Sequence, residues 1–471
     1  MRPKTAVKWS FLTQITQFTL YFIVNITLSR ILTPSDFGTF AIVSIFIGFI
    51  STIKDFGIGS FLINKQELTN EIKNTVFLIN LIVIVILCGS LLISSSFIAD
   101  FYHDERLKIL VLLCSISLFI DGMAIIPSSM LQKNMSFHHL FIVRAASQIV
   151  GGIVAISSAL NHWGVYSLIF QSIFISLVSF LLLFYYYPFL PSMRMNKTLL
   201  RSIFSFSGPV FFDNVVQFWT RNIDNLLIGK IFGAGPLGIY NRAYTLMQLP
   251  TSNLSSVVSR VLFPYLSKNQ NDIAAASLFY IKALKSIAHI SFPLMAMILI
   301  CSGDIIFFLY GEKWMGVVPI LRVFSIAGAV ESVLSPMGSL FMALGKTSKM
   351  FRISTVIRLI TISFIVLGSF YSIKIIAVFY VIATLVTAPI IIKECCSLLE
   401  LKMSDVVMTL LPVLIITIVS GISAFVFVKF ILPAEMSSFL KLAFTSLFFS
   451  LIYVLLSFKY SKNSFIALFK S

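Results

Sequence analysis

Runs of some twenty apolar residues recur down the whole chain, and they restrict its fold more than any other feature. A segment in hydrocarbon must satisfy its backbone amides internally, and an α-helix of about 20 residues does so while crossing a bilayer core of about 30 Å. Such runs occupy residues 10–31, 40–63, 75–98, 107–131, 140–160 and 164–187. A second set follows at 205–229, 237–266, 283–309, 317–344, 352–370 and 373–393, and two more lie at 406–430 and 437–458. With 58% hydrophobic residues, 11% charged residues and a mean hydropathy of +0.98, the chain is an integral membrane protein. The expectation is an all-α membrane protein of about 14 transmembrane helices.

The runs are not independent of one another. FLTQITQFTLYFIVNITLSRIL (residues 11–32) aligns without a gap on FFDNVVQFWTRNIDNLLIGKIF (residues 211–232). Phe11, Gln17, Phe18, Ile23, Asn25 and Ile31 fall on Phe211, Gln217, Phe218, Ile223, Asn225 and Ile231, and the register continues to Gly38 and Gly238. An internal repeat of this kind predicts two pseudo-symmetric six-helix lobes around a central cavity, the architecture of a rocking transporter. The expected boundaries are 1–195 for the first lobe, 196–400 for the second, and 401–471 for two additional helices and a tail.

Placing Arg2, Lys4 and Lys8 in the cytoplasm and alternating sides puts 21 of the 35 cations inside, among them Arg144, and eight outside. That bias predicts cytoplasmic termini, and it accounts for most of the net charge of +17 without nucleic-acid binding. The first run has a basic flank but is too long and polar for a signal peptide, so it reads as an uncleaved helix. Cys88, Cys114, Cys301, Cys395 and Cys396 lie in or beside apolar runs without ligand spacing and read as free thiols. Gly345-Lys346-Thr347 lacks the earlier glycine and the strand of a phosphate loop, and the five histidines lack metal spacing. The longest polar stretch, about 15 residues near 188–202, holds no folded domain. No catalytic group, metal or cofactor is expected, and the chain is not expected to be an enzyme.

Six cations remain in or near the spans: Lys54, Arg221, Arg242, Arg260, Arg322 and Arg358. A charge at a helix centre costs on the order of 3 kcal/mol on insertion scales, so these should meet water or partners. Helical spacing places Asp213, Gln217, Arg221 and Asp224 on one face, with Asn225 beside them. The equivalent first span carries Gln14, Gln17, Tyr21 and Asn25, and the eighth carries Arg242, Asn253, Ser256 and Arg260. These stripes are the expected substrate-binding surface of the cavity. Arg221 either faces substrate or pairs with Asp224, and Arg242 and Arg260 either face substrate or pair with Asp55, Asp121, Asp213 or Glu331. Lys54 with Asp55 reads as structural. Pro250 is expected to interrupt the eighth span, with Pro127, Pro319 and Pro336 bending others.

The segments SRILTPSDFGTFAIVSIF (29–46), DFGIGSFLI (55–63), TRNIDNLLIGKIFGAGPLGIYNRAYTLMQLP (220–250), SRVLFPYLS (259–267) and YGEKWMGVVPIL (310–321) span both halves. On these the chain resembles the polysaccharide flippases of the multidrug/oligosaccharidyl-lipid/polysaccharide exporter superfamily. The resemblance implies two six-helix lobes in a V and an undecaprenyl-diphosphate-linked oligosaccharide as substrate, moved across a bacterial cytoplasmic membrane by alternating access. It further implies membrane lipids, a polysaccharide polymerase and a chain-length regulator as partners. Coupling to the membrane potential, protons or sodium is left open. A drug antiporter of the same superfamily is the nearest alternative, though it calls for cavity acids where the eighth span has arginines. A membrane-embedded polymerase or glycosyltransferase is the other, and it calls for a sizeable loop.

Overall fold

The computed structural model describes residues 3–54, 58–65, 68–192, 215–216, 218–433 and 435–470. Among these the regular structure is entirely helical. The helices are α1 (Pro3–Ile31), α2 (Pro34–Lys54), α3 (Ile58–Asn64), α4 (Asn70–Tyr102), α5 (Arg106–Met123), α6 (Ile125–Lys133), α7 (Phe137–Leu160) and α8 (Tyr166–Tyr186). Then come α9 (218–232), α10 (Ala234–Lys268), α11 (Ile273–Tyr310), α12 (Val317–Leu334), α13 (Met337–Ala343), α14 (Thr347–Ser369), α15 (Ile373–Leu398), α16 (Met403–Phe430) and α17 (Ser438–Lys470).

Among the described residues, 11 helices are long and apolar enough to cross a membrane, or 12 if the bent pair α5–α6 is one span. The expected seventh span begins outside the described residues. The eighth, α10, is not in this set; its sequence holds Asn241, Arg242, Gln248, Asn253 and Arg260. Local chemistry sets several helix starts. Thr69, Asp272 and Ser372 accept from the amides of Ile72, Ala275 and Ile375 at 3.3, 2.9 and 3.3 Å, each satisfying a donor that the first turn leaves unpaired.

Two compact units result, Met1–Gly238 and Ile239–Ser471, with the boundary inside α10. In the first, α4 packs on α5, α5 on α8, α8 on α7 and α7 on α1. In the second, α11 packs on α12, α12 on α15 and α15 on α14. The pairs α4–α5, α5–α8 and α7–α8 thus have counterparts in α11–α12, α12–α15 and α14–α15, so the repeat read from one pair of helices extends to the internal packing of each unit. The helices α16 and α17 pack against each other and against α11. Their tie is polar as well as apolar: the buried Tyr453 hydroxyl donates to the His289 carbonyl at 3.2 Å and lies 3.0 Å from His289 Nδ1.

Prolines fall mostly where helices tolerate them. Pro127 and Pro319 lie in the first turns of α6 and α12, and Pro336 precedes α13. Pro250 does not interrupt its helix as expected. It lies inside a continuous α10, where Thr251 Oγ1 donates to the Met247 carbonyl at 3.3 Å. An unravelled turn leaves more backbone groups without partners than one proline does, so the helix persists. All five cysteines are free, and four of them are buried.

The repeat also appears as a close contact. Gly38 in α2 meets the backbone of Ala234, where an added Cβ would lie 1.7 Å from the Ala234 oxygen; at Gly238 it would lie 1.9 Å from that of Pro34. The pairs 34/234 and 38/238 share the repeat's offset, so the contact is reciprocal. Only glycine lets the first turns of α2 and α10 approach this closely.

Candidate functional site

The first unit carries a polar surface built where a helix breaks. α5 and α6 meet at Ala124 with a bend of 43°, and the Gly122 carbonyl beside the break accepts from the buried Asn80 amide at 2.8 Å. The break turns Ser128, Ser129 and Gln132 of α6 toward a cavity of about 470 Å³ shared with Lys54, Asp121 and Ser179. A second cavity of about 260 Å³ is lined by Ser10, Thr13, Gln14 and Gln17 of α1 and by Arg144 of α7. Gln132 lines both cavities.

Of the α1 stripe, Gln17 accepts from Arg144 Nη1 at 3.5 Å, Tyr21 is exposed, and Asn25 donates its amide to the Tyr21 carbonyl at 3.0 Å. Asp213 and Gln217 lie outside the described residues. Arg221 is exposed and, among the described residues, forms no ion pair with Asp224. Asp224 and Asn225 are buried, and Asp224 Oδ1 accepts the Asn225 backbone amide at 2.8 Å.

In the second unit, Arg242 is 7% exposed, with its guanidinium 4.9 Å from the ring centre of Tyr310 and 5.1 Å from that of Trp314. Both rings belong to the YGEKW segment, in which Gly311 at φ +89° turns the chain from α11 into a short 3-10 helix, Glu312–Trp314. Cation–π stacking on these two rings favours the buried position of Arg242. Arg260 is exposed, and the side chains of Asn253 and Ser256 lie outside the described residues. The carboxylate of Glu331 accepts from the Tyr380 hydroxyl at 2.6 Å.

The second unit also holds a groove of about 780 Å³ between α11, α12 and α16, lined by side chains such as Phe292, Leu299, Val330, Leu414 and Phe425. The hydroxyls of its Ser325 and Thr417 donate to the Arg322 and Val413 carbonyls of their own helices, leaving a wall of hydrocarbon. Arg322 is the one charged residue in the lining, and its Nε donates to Ser302 Oγ at 2.9 Å. The described residues contain no cluster of metal-ligating groups.

Arg144, Gln132 and the α6 and α8 serines were not among the site residues expected from sequence. Arg144 was counted with the cytoplasmic loop cations because the apolar run begins at residue 140, but α7 starts at Phe137 and carries Arg144 two turns inside. Pro127 was the available signal that residues 107–131 are not one straight span.

Long apolar helices in two similarly packed units, with polar and charged side chains facing cavities inside them, define a polytopic membrane transporter. The structure superposes on that of the lipid II flippase MurJ with a TM-score of 0.73, covering 97% of this chain and 99% of that one; at 17% identity the likeness is one of fold. The chain belongs to the polysaccharide biosynthesis protein family, whose model matches residues 27–319. It is 24% identical to the lipopolysaccharide biosynthesis protein WzxC of Escherichia coli K12 over 78% of this chain and 76% of that one. It is also 29% identical to the teichuronic acid biosynthesis protein TuaB of Bacillus subtilis 168, over 64% of this chain and 63% of TuaB. These matches bear out the resemblance to polysaccharide flippases drawn from the sequence.

Proposed function

We propose that this protein carries a polyprenyl-diphosphate-linked oligosaccharide across the bacterial cytoplasmic membrane, with the two units as lobes of a fourteen-helix alternating-access transporter. The groove of the second unit carries this reading. A transporter of free sugars or of soluble ions has no use for some 780 Å³ walled by hydrocarbon, whereas a polyprenyl chain fits it. Lipid is already apolar, so entering the groove brings no hydrophobic gain, and the tail is held by shape and dispersion. The lipid-linked diphosphate bears about two charges, and an inside-negative potential favours its outward movement by roughly 2.3 kcal/mol per charge per 100 mV. Exposed Arg221 and Arg260 supply planar donors for the diphosphate, while Gln17, Tyr21 and Asn25 suit sugar hydroxyls.

Deleting the gene tests this. Loss of surface polysaccharide, with lipid-linked oligosaccharide accumulating on the cytoplasmic leaflet, is expected; unchanged export overturns the proposal. Filling the groove by Gly421→Phe or Ala329→Phe is expected to cut export at normal expression, whereas Leu414→Val leaves it within about twofold.

A further inference from the structure

We propose that Lys230 of α9 and His103 at the end of α4 form an acid-sensitive latch: with the imidazole neutral, Lys230 ties the end of α9 to the C-terminus of α4, and protonation of His103 releases it. The latch rests on its own contacts, and its consequence for transport rests on the reading above.

Both helices build the contact. α4 ends on His103, whose left-handed backbone, at φ +55°, turns its amide back onto the carbonyls of Ala99 and Asp100. The last carbonyls of a helix lack helical partners and form the negative end of its dipole. Lys230 occupies that end of α4. Its Nζ donates to the Phe101 carbonyl, lies 3.2 Å from His103 Nε2 and stands 4.7 Å from the centre of the Phe101 ring. An ammonium has three N–H donors, and carbonyl, imidazole and ring face supply one acceptor each. The neighbouring Gly229 lets α9 lie close against α4, since an added Cβ there would stand 3.0 Å from Cε1 of Tyr102.

The imidazole takes part only while neutral and protonated on Nδ1, because Nε2 must offer its lone pair to Lys230. Protonation turns Nε2 into a donor and sets two cations 3.2 Å apart before one helix terminus. His103 belongs to the end of α4 and stays, whereas Lys230 reaches in on a long side chain from another helix and leaves. Histidine is the side chain whose ordinary charge change falls between about pH 5 and 8. The other ionisable groups of this corner are Asp100, Tyr102, Asp104, Glu105 and Arg106 of α4 and the turn after it, and Asp36 of α2. Arg106 pairs with Asp104 at 2.7 Å, Asp36 accepts from the Thr33 amide at 2.9 Å, and Asp100 and Glu105 are exposed. Among the described residues none of these carboxylates forms an ion pair with Lys230, so His103 is its titrating partner.

Lys230 lies on the face that the cation count assigns to the outside. α9 repeats α1 and opens the second copy of the repeat, and alternating access requires helices of the two copies to part at one face. An acidic exterior therefore favours opening at this face.

Distances between spin labels, read by double electron–electron resonance on the full chain in lipid nanodiscs, test the latch. The labels sit on Ser96→Cys of α4 and Ile231→Cys of α9, both exposed positions, with the five native cysteines replaced by alanine. One short-distance population is expected at about pH 7.5, with a longer one joining it at about pH 5.5. His103→Gln keeps a neutral acceptor and is expected to hold the short population at both pH values. His103→Arg carries a fixed cation and is expected to show the longer one at both, and Lys230→Gln to give one distribution whatever the pH. No response in the otherwise unchanged chain, or an equal response in His103→Gln, overturns the latch. So does the same displacement in His103→Gln and His103→Arg, which is what a merely structural histidine would produce. Should His103→Arg fail to fold, the loss or survival of the response in His103→Gln decides. The readout is the position of α9, so failure here leaves the transport reading standing, and unchanged export on deletion removes that reading but not the latch.

Discussion

Arg242 and Arg221 show how differently one side-chain type behaves when its surroundings differ. The Arg242 guanidinium is buried over two aromatic rings, so Arg242→Gln exchanges cation–π contacts of about 0.5–2 kcal/mol each for an amide with no such attraction. A lowered melting temperature in detergent is expected, with Arg242→Lys recovering part of it; an unchanged melting temperature would show that the stacking contributes nothing. Arg221 is exposed and lacks the Asp224 ion pair, so Arg221→Gln is expected to leave melting within a degree or two while export drops. Rescue of export by neutralising Asp224 as well would restore the paired reading. Gly38 and Gly238 are stricter still. A side chain at either overlaps a backbone oxygen, which cannot rotate away as a side chain can, so Gly38→Val and Gly238→Val are each expected to abolish folded protein in detergent-solubilised membranes.

Among the elements, α17 depends on contacts its sequence does not announce. Its Tyr453 meets His289 of α11, and the ring of Phe448 stacks on Phe427 of α16 with centroids 4.2 Å apart. Hydrogen bonds between helices in membranes contribute about 0.6 kcal/mol on average and up to about 1.7. Tyr453→Phe is therefore expected to loosen α17 without unfolding the protein, seen as faster proteolysis near residues 431–437 with the remaining helices still protected. The same rate in wild type and variant would mean that apolar packing alone holds α17. The break between α5 and α6 has the opposite character. Its Gly122 carbonyl accepts from Asn80, so Asn80→Leu removes a buried hydrogen bond between helices, and stability is expected to fall by about 0.5–1.5 kcal/mol.

For the whole molecule, the cations predict orientation. A reporter fused after Lys197 or at Ser471 is expected to read cytoplasmic, and one inserted near His162 or Gly233 external, since alternating sides along the sequence assigns 20 cations, Arg144 set aside, to one face and eight to the other. Opposite readings at both kinds of position would overturn the topology. The duplicated packing is an independent property at this scale: it recurs inside each unit, whatever the orientation.

Apolar runs and the 200-residue repeat were legible in the sequence because membrane insertion and gene duplication leave one-dimensional marks: a run length, and a constant offset that ties Gly38 to Gly238. Equally legible were the segments that carry the family resemblance. The α1 stripe was visible as a periodicity, but its neighbours were not. What Gln17 meets depends on where α7 begins and how α6 is turned, and both are set by packing around the break at Ala124. Arg242 read from spacing as either substrate-facing or paired with an acid of another helix. Periodicity reports which side of a helix a residue occupies, whereas the aromatic rings that bury it come from a segment some seventy residues away. Only tertiary structure brings those partners together, because a partner's identity lies in the folded contacts of distant segments rather than in the local period of either one.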